Sequence, residues 1–116
     1  MRTEQEDQEA VVKWLEIHRI PYFSPPSSFF TGQKRTPKFF GMIAGLKRAG
    51  WSKGFPDLQI FLPNAKIIFI EMKREKGGTV TKEQKAWHKV LKDTGNSVYI
   101  CKGYDSAIEC IKSHQE

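Results

Sequence analysis

Two acidic residues and one lysine are the residues of this sequence best suited to chemistry. Asp57 follows the segment 54–56, Gly-Phe-Pro, and Glu71 and Lys73 lie at the end of an apolar run. Because side chains alternate along a β-strand, Glu71 and Lys73 would point to the same face. Paired carboxylates beside a lysine can bind a divalent cation and act on a phosphate group. This chemistry requires the fold to bring Asp57 next to the other two residues.

The sequence between these acidic residues predicts a β-hairpin. Residues 58–62 and 66–72 are rich in β-forming residues, and a Pro-Asn-Ala breaker separates them. If the two residues that flank the breaker pair directly, Asp57 faces Glu71, with Cβ atoms roughly 5 Å apart. Two ionised carboxylates at that distance repel by about 3 kcal/mol at an effective dielectric near 20. A Mg²⁺ ion removes this repulsion, since it binds one or two protein carboxylates and leaves its other positions to water and phosphate oxygens.

The residues before Asp57 fit such a site. Gly54 permits another backbone to approach closely, and Pro56 stiffens the start of the strand without removing an interior ladder hydrogen bond. The alternative is that Glu71 and Lys73 are ordinary surface charges at a strand end and that Asp57 is a turn residue. The predicted hairpin register favours the site.

Three segments resemble motifs of the VRR-NUC family, the virus-type replication-repair branch of the PD-(D/E)XK nuclease superfamily. These segments are Gly-Phe-Pro-Asp-Leu at 54–58, Ile-Glu-Met-Lys-Arg at 70–74, and Thr-Lys-Glu-Gln at 81–84 with Trp87. The resemblance covers nearly the whole chain. It implies an α/β, restriction-endonuclease-like core in which helices flank a central mixed β-sheet. It also implies dependence on Mg²⁺ or Mn²⁺ and hydrolysis of phosphodiester bonds in DNA.

The resemblance further implies roles for individual residues. Asp57 and Glu71 would be metal ligands together with the backbone carbonyl of Met72, and they would hold one or two divalent ions. Lys73 would orient or activate the attacking water. Gln84 matches a glutamine that such nucleases often carry on the helix after the motif strand.

Gln84 also has a purely structural interpretation. The sequence Thr-Lys-Glu-Gln at 81–84 matches a capping box, in which Thr81 and Gln84 satisfy each other's backbone donors at the start of a helix. The two roles are compatible only if Gln84 divides its amide between the helix cap and the site.

The first predicted helix, residues 4–18 with Thr3 as its N-cap, carries two further candidates. Glu4 and Gln8 lie on the face of its apolar stripe. Nucleases of the resembled family commonly place a Glu from this helix beside the metal. Spacing favours Gln8 for that position, whereas Glu4 has the chemically better oxygen, so both stay candidates. The alternative for Glu4 is an N-terminal carboxylate stabilised by the helix dipole.

Length and composition indicate one small domain, residues 1–116. A chain of 116 residues can form one core, and its hydrophobic fraction of 39% and charged fraction of 28% are those of ordinary globular proteins. No apolar run approaches the roughly 20 residues of a membrane span, and the first residues do not form a signal peptide. We expect a soluble cytoplasmic protein with no membrane partner; a phage-encoded protein acting in its host cell fits the family resemblance.

The charge distribution predicts a polyanionic ligand. The formal net charge is +6, and no acidic residue occurs between His18 and Asp57. The basic residues in that stretch after its first arginine are Lys34, Arg35, Lys38, Lys47, Arg48 and Lys53. Such a field suits phosphates and predicts binding that weakens as salt concentration rises. Together with the acidic pair and Lys73 this charge favours a phosphate ligand, and the family resemblance makes DNA the expected partner.

The cysteines and histidines do not predict a zinc site. Cys101 and Cys110 form no Cys-x-x-Cys pattern, and His18, His88 and His114 show no ligand spacing. We expect both thiols to be free and at least half-buried, as in a reducing compartment.

The rest of the chain predicts one long loop and four regular elements. The loop covers 22–36 and is long enough to be a binding element. Helices are predicted at 37–49, from Thr81 to about Asp93 and at 104–112, and a strand at 97–101. An aromatic cluster in the middle segment could stack on bases, pack a dimer or belong to the core; it comprises Phe29, Phe30, Phe39, Phe40 and Trp51.

The apolar middle segment and the resemblance to small stand-alone relatives together predict a homodimer. Two sites in one dimer would suit branched DNA such as a four-way junction. The alternatives are a non-catalytic nucleic-acid-binding module on a nuclease-like fold, and a basic adaptor that binds a protein partner. Hydrolysis that requires a divalent metal separates the enzyme from both.

Overall fold

The computed structural model describes residues 2–25 and 34–115. Its helices are Glu4–Ile17 (α1), Pro37–Arg48 (α2), Lys82–Asp93 (α3) and Tyr104–Ser113 (α4). Its strands are Tyr22–Phe23 (β1), Leu58–Leu62 (β2), Lys66–Lys73 (β3) and Ser97–Lys102 (β4). Within the described ranges, no helix combines the length and the apolar composition needed to cross a bilayer. Phe29, Phe30 and the centre of the predicted loop lie outside the described residues.

The four strands form one mixed sheet in the order β1-β2-β3-β4. The pairs β1–β2 and β2–β3 are antiparallel, and β3–β4 is parallel. Leu62 pairs with Lys66 and Gln59 with Phe69, so the predicted hairpin register is confirmed. The breaker closes the hairpin because Asn64 and Ala65 both adopt positive φ, +66° and +60°. The predicted α/β fold, a mixed sheet flanked by helices, is also confirmed.

The prediction of a loop from residue 22 was wrong for its first two residues. Tyr22 and Phe23 form a short edge strand that pairs with Ile60 and Gln59 of β2. The amide of Phe61 also donates to the carbonyl of Pro21 at 3.0 Å. Two residues followed by prolines cannot display a period of two, so the sequence alone carries no signal for this strand.

The main core lies between the sheet and the helices α1 and α4. Alternate residues of the strands point toward these helices and are fully or almost fully buried. The core consists of Val11, Leu15, Leu58, Ile60, Leu62, Ile68, Ile70, Met72, Cys101, Ala107, Ile108 and Ile111. A capping box fixes the start of α1, since the Thr3 side chain accepts from the Glu6 amide and the Glu6 carboxylate accepts from the Thr3 amide.

The opposite face of the sheet packs against α3 in a smaller core. Phe69, Leu91 and Val98 are buried there, with Phe55 and Trp87 packed around them. Because side chains alternate along β3, the two residues at positions i+2 and i+4 from Phe69 share its face. This alternation turns Glu71 and Lys73 toward α3.

Helix α2 is the least integrated of the described helices. Thr36 caps it and Pro37 opens it, and Phe39 is its only buried residue. Phe40 and Met42 are 52% and 42% exposed. The predicted aromatic cluster is therefore split, with Phe39 packed and Phe40 facing outward.

Both cysteines are free thiols. Cys101 is buried in the main core, and Cys110 is half-buried on α4. A hydrogen bond between the two side chains lowers the pKa of Cys101 and raises that of Cys110. The predicted state of the thiols is confirmed.

Candidate active site

Asp57 and Glu71 are neighbours at the start of the hairpin. Leu58 pairs with Ile70 in the ladder, so Asp57 lies opposite Glu71 at the open end of the hairpin. Asp57 directly precedes β2, and its Oδ2 accepts a 2.7 Å hydrogen bond from the backbone amide of Met72. Glu71 points into the interface with α3 and has no solvent-exposed surface. The hairpin and α3 together thus hold two acidic groups side by side in a partly dry environment.

This environment favours the protonated form of Glu71. Burial, the hydrogen bond with Asp57 and the charge of Asp57 raise the pKa of Glu71 to about 9, although Lys73 acts in the opposite direction. At neutral pH the two carboxyl groups therefore share a proton when no cation is present. A divalent cation would replace that proton.

Gln84 connects the helix cap to the acidic pair. Its Nε2 donates to Glu71 Oε2 at 3.0 Å. Its Oε1 accepts from Lys73 Nζ and from the Thr81 amide, both at 2.9 Å. Gln84 therefore fills both predicted roles. Its side-chain nitrogen contacts Glu71, and its side-chain oxygen contacts both Lys73 and the helix cap at Thr81.

Lys73 is held in a fixed position beside Glu71. It is 5% exposed, which is unusual for a lysine, and its ammonium group bonds to Gln84. The stem runs close to Gly78, where an added Cβ would lie 3.2 Å from Lys73 Cβ. Lys73 is thus enclosed by its neighbours, unlike a surface lysine.

Glu4 and Gln8 line the open side of the site. With Asp57 they border a cleft of about 580 Å³ beside α1. Burial raises the pKa of Glu4, and the charges of Lys73 and Asp57 also act on it, which places Glu4 within electrostatic range of both. Gln8 instead donates from Nε2 to Ser24 Oγ at 3.2 Å. Of the two candidates, Glu4 is the one that interacts with the charges of the site.

The family model described as the VRR-NUC domain matches residues 2–105. The chain belongs to the VRR-NUC family. A solved structure described as "VRR_NUC domain protein" superposes with a TM-score of 0.68 at 26% identity, and the match covers 98% of this chain and 88% of that chain. Another, described as "VRR_NUC domain", superposes with a TM-score of 0.65 at 18% identity, covering 97% and 99%, and supports the fold alone. No curated protein matches the sequence. Membership confirms the predicted family and indicates a nuclease-type domain with DNA as its substrate class.

His88 is a residue of this VRR-NUC site that the sequence analysis missed. Its Nε2 lies 3.2 Å from Glu71 Oε1, and the side chain is buried. Burial and the charges of Lys92 and Lys73 lower the pKa of His88. Both partners are therefore driven toward their neutral forms, so the contact is a neutral hydrogen bond. Its position four residues after Gln84 on one helix face is the signal that could have identified it.

The donor set of the VRR-NUC site fits a small, hard cation. Two adjacent carboxylates match the ligand demand of Mg²⁺, which keeps several waters and takes few protein oxygens. Within 2–25 and 34–115, no three His, Cys, Asp or Glu side chains converge as a ligand set. A backbone carbonyl would add a further protein oxygen, and the Met72 peptide lies beside Asp57.

The VRR-NUC site also depends on a close contact between Gly54 and α3. Gly54 has φ +97°, and a Cβ at this position would lie 2.6 Å from the backbone carbon of Glu83. We expect Gly54→Ala to lower the free energy of unfolding by about 2 to 4 kcal/mol, because it adds left-handed strain to a backbone clash. Urea denaturation measures this change.

Gly50→Ala is the matched control for this variant. Gly50 has φ +111°, and nothing lies within 4 Å of an added Cβ. Gly50→Ala should therefore lower the free energy of unfolding only by the backbone strain, about 1 to 2 kcal/mol. Equal losses in the two variants would contradict a packing role for Gly54.

Proposed function

We propose that this protein is a Mg²⁺- or Mn²⁺-dependent nuclease that hydrolyses phosphodiester bonds in DNA. The observation that carries the proposal is the contact between the Asp57 and Glu71 carboxyl groups, with Lys73 joined to Glu71 through Gln84. Two adjacent carboxylates are disfavoured in a purely structural role because like charges repel, and a divalent cation bound between them removes that cost.

In this proposal each side chain has a defined task. Asp57 and Glu71, with the carbonyl of Met72, hold one or two divalent ions. A bound ion polarises the scissile phosphate and lowers the pKa of a water molecule. Lys73 orients the attacking water and offsets negative charge in the transition state. Hydrolysis is in line and forms no covalent enzyme intermediate.

Further residues support these groups. Gln84 keeps Lys73 and Glu71 in register with each other, since its amide bonds to both. Glu4, which lines the cleft on the α1 side, would contribute an outer carboxylate for the ion or its waters, and Gln8 is the alternative from the same helix face.

A cleavage panel tests the function. Labelled single-stranded, duplex, flap and four-way DNA are incubated with Mg²⁺, with Mn²⁺ or with chelator. We expect incision that requires the metal and is greatest on the four-way substrate, as expected for an endonuclease acting on branched DNA. Salt-sensitive binding without incision under any of these conditions would instead identify a non-catalytic nucleic-acid-binding module.

We further propose that the protein acts as a homodimer. Helix α2 supports this, because Phe40 and Met42 are exposed on a helix that buries only Phe39 among its own residues. The two residues are two positions apart and therefore expose apolar surface on two sides of α2, which a second copy of the chain would cover. We expect a dimer by analytical ultracentrifugation and a monomer for Phe40→Glu/Met42→Lys. A double change at exposed Lys38 and Lys47 to Gln is the control, and a monomeric native protein would refute the dimer.

The raised pKa of Glu71 predicts that metal binding depends on pH. Because this pKa is about 9 without metal, an incoming cation must displace a proton at neutral pH. The apparent Mn²⁺ affinity should therefore rise by up to about tenfold per pH unit between pH 6 and 8. Calorimetry in buffers of different ionisation enthalpy should detect close to one proton released per ion at pH 7. An affinity that is constant over this range would contradict the shared proton.

A further inference from the structure

Four lysines form a stripe along one side of α3. This lysine stripe consists of Lys82, Lys85, Lys89 and Lys92, all of them exposed. Their spacing of three and four residues places them within about 80° of the helix circumference, given 3.6 residues per turn. The stripe therefore presents its positive charge in one direction.

The lysine stripe borders a groove between α3 and the edge strand β4. This α3 groove has a volume of about 390 Å³ and is lined by Lys85, Lys89 and Lys92. Ile100, which is 46% exposed, and Val80 give it an apolar floor. Lysine side chains beside an apolar surface suit a ligand that carries anionic groups on a less polar framework.

The charge of the groove is largely uncompensated. Asp93 is the acidic residue that lines it, and its carboxylate already pairs with Lys89 at 2.6 Å. Within the described part of the chain, no carboxylate lies at ion-pair distance from Lys85 or Lys92. Two exposed lysines are thus available to an anionic ligand.

His88 joins the α3 groove to the carboxylate pair. It lines the groove, and its Nε2 also lies 3.2 Å from Glu71 Oε1. The cleft on the other side of the pair is acidic, because Glu4, Glu9 and Asp57 line it with one lysine, Lys13. With a cation bound at the open cleft, a strand that continues past the scissile phosphate is therefore attracted toward the α3 side rather than toward the acidic side chains of the α1 side.

We propose that the α3 groove binds the sugar–phosphate backbone of the DNA strand next to the scissile phosphate. The lysine stripe spans about 15 Å at 1.5 Å per residue, which corresponds to about four nucleotides at 3.4 Å each. Lysines act on phosphates as flexible point charges, so this contact positions the strand without reading its sequence. The inference rests on the proposed function and names the path of the substrate.

Salt-dependent binding tests the groove. Lys85→Gln/Lys92→Gln removes two groove charges, and Lys66→Gln/Lys112→Gln is the control, which removes two charges on the opposite side. Lys66 pairs with Leu62 of the main core, and its Nζ donates to the His114 carbonyl at the end of α4. Affinities for labelled duplex and single-stranded DNA are measured in chelator, so no cleavage occurs, over a range of salt concentrations.

The groove variant should bind DNA about tenfold more weakly. For two lost phosphate contacts, its plot of log K against log [salt] should be less steep by about 1.8 on duplex DNA and by about 1.4 on single-stranded DNA. The control should keep the native slope. If the groove variant loses affinity for both duplex and single-stranded DNA, the groove binds the backbone of a strand in either state. If it loses affinity for only one of the two, the groove binds that state. Equal slopes for the groove variant and the control would overturn the proposal while leaving the nuclease function intact. Native protein that binds DNA through the groove but never cleaves it would uphold the groove and refute the nuclease.

Discussion

Asp57→Asn should abolish cleavage and at the same time make the metal-free protein more stable at alkaline pH. Asparagine keeps an oxygen that can accept the 2.7 Å hydrogen bond from the Met72 amide, so the start of β2 is preserved. What changes is the charge next to Glu71. We expect turnover to fall by at least about 10³-fold, since one of two carboxylates that hold the cation is lost.

The gain in stability has an electrostatic cause. At neutral pH the metal-free pair carries one shared proton, because the pKa of Glu71 is about 9, so Asp57→Asn should change the free energy of unfolding little there. Above that pKa both carboxylates of the native protein are ionised and repel by roughly 3 kcal/mol at about 5 Å and an effective dielectric near 20. Burial still disfavours ionised Glu71, so only part of this is recovered, and at about pH 9.5 we expect the free energy of unfolding of the variant to exceed that of the native protein by about 2 kcal/mol, or roughly 8 °C in Tm. Thermal unfolding in chelator at both pH values measures the difference, and at neutral pH added Mn²⁺ should raise the Tm of the native protein but not of the variant.

Glu109→Gln is the control for this experiment. Glu109 is an exposed carboxylate on α4, away from the site. Its neutralisation should change neither the Tm in chelator nor the response to Mn²⁺. A variant Asp57→Asn that is destabilised, or that still gains stability from Mn²⁺, would show that the two carboxylates do not form a cation site.

Lys73→Met should separate metal binding from catalysis. Methionine keeps the buried, unbranched shape of the lysine stem and removes the ammonium group that bonds to Gln84 Oε1. We expect kcat to fall by about 10²- to 10⁴-fold, the usual contribution of a positioned proton-transfer or charge-stabilising group. Mn²⁺ binding by calorimetry should stay within about tenfold of the native value, because no metal ligand is removed.

The adjacent strand supplies a matched control for Lys73. Lys102 of β4 is directly opposite Lys73 in the parallel ladder, but its side chain is exposed. Lys102→Met should therefore retain nearly full activity. Comparable losses in the two variants would mean that Lys73 acts only through the general positive charge of this region.

The hairpin and its acidic residues could be predicted because their signals are local. A turn breaker between two β-rich runs fixes the register, and the register alone makes Asp57 and Glu71 neighbours. The capping-box motif at Thr81 similarly predicted where α3 begins and that Gln84 would have to act in both the helix cap and the site. Each of these inferences depends on residues close together in sequence.

The features that escaped prediction depend on how distant elements pack. His88 contacts Glu71 because α3 lies across the face of β3, and its spacing from Gln84 places both residues on one helix face without showing which strand that face meets. The choice between Glu4 and Gln8 depends on the angle at which α1 meets the sheet. The pKa of Glu71 likewise follows from burial under α3, which no local pattern specifies.

The divided amide of Gln84 makes the chemistry of the site depend on one turn of helix. The same oxygen closes the cap at Thr81 and anchors Lys73, while the nitrogen holds Glu71. Helix ends open more readily than the sheet beneath them. Fraying of this turn would release Glu71 and Lys73 together, so on heating the cleavage activity should be lost before the domain unfolds. A more stable N-terminus of α3 should raise the temperature at which activity is lost.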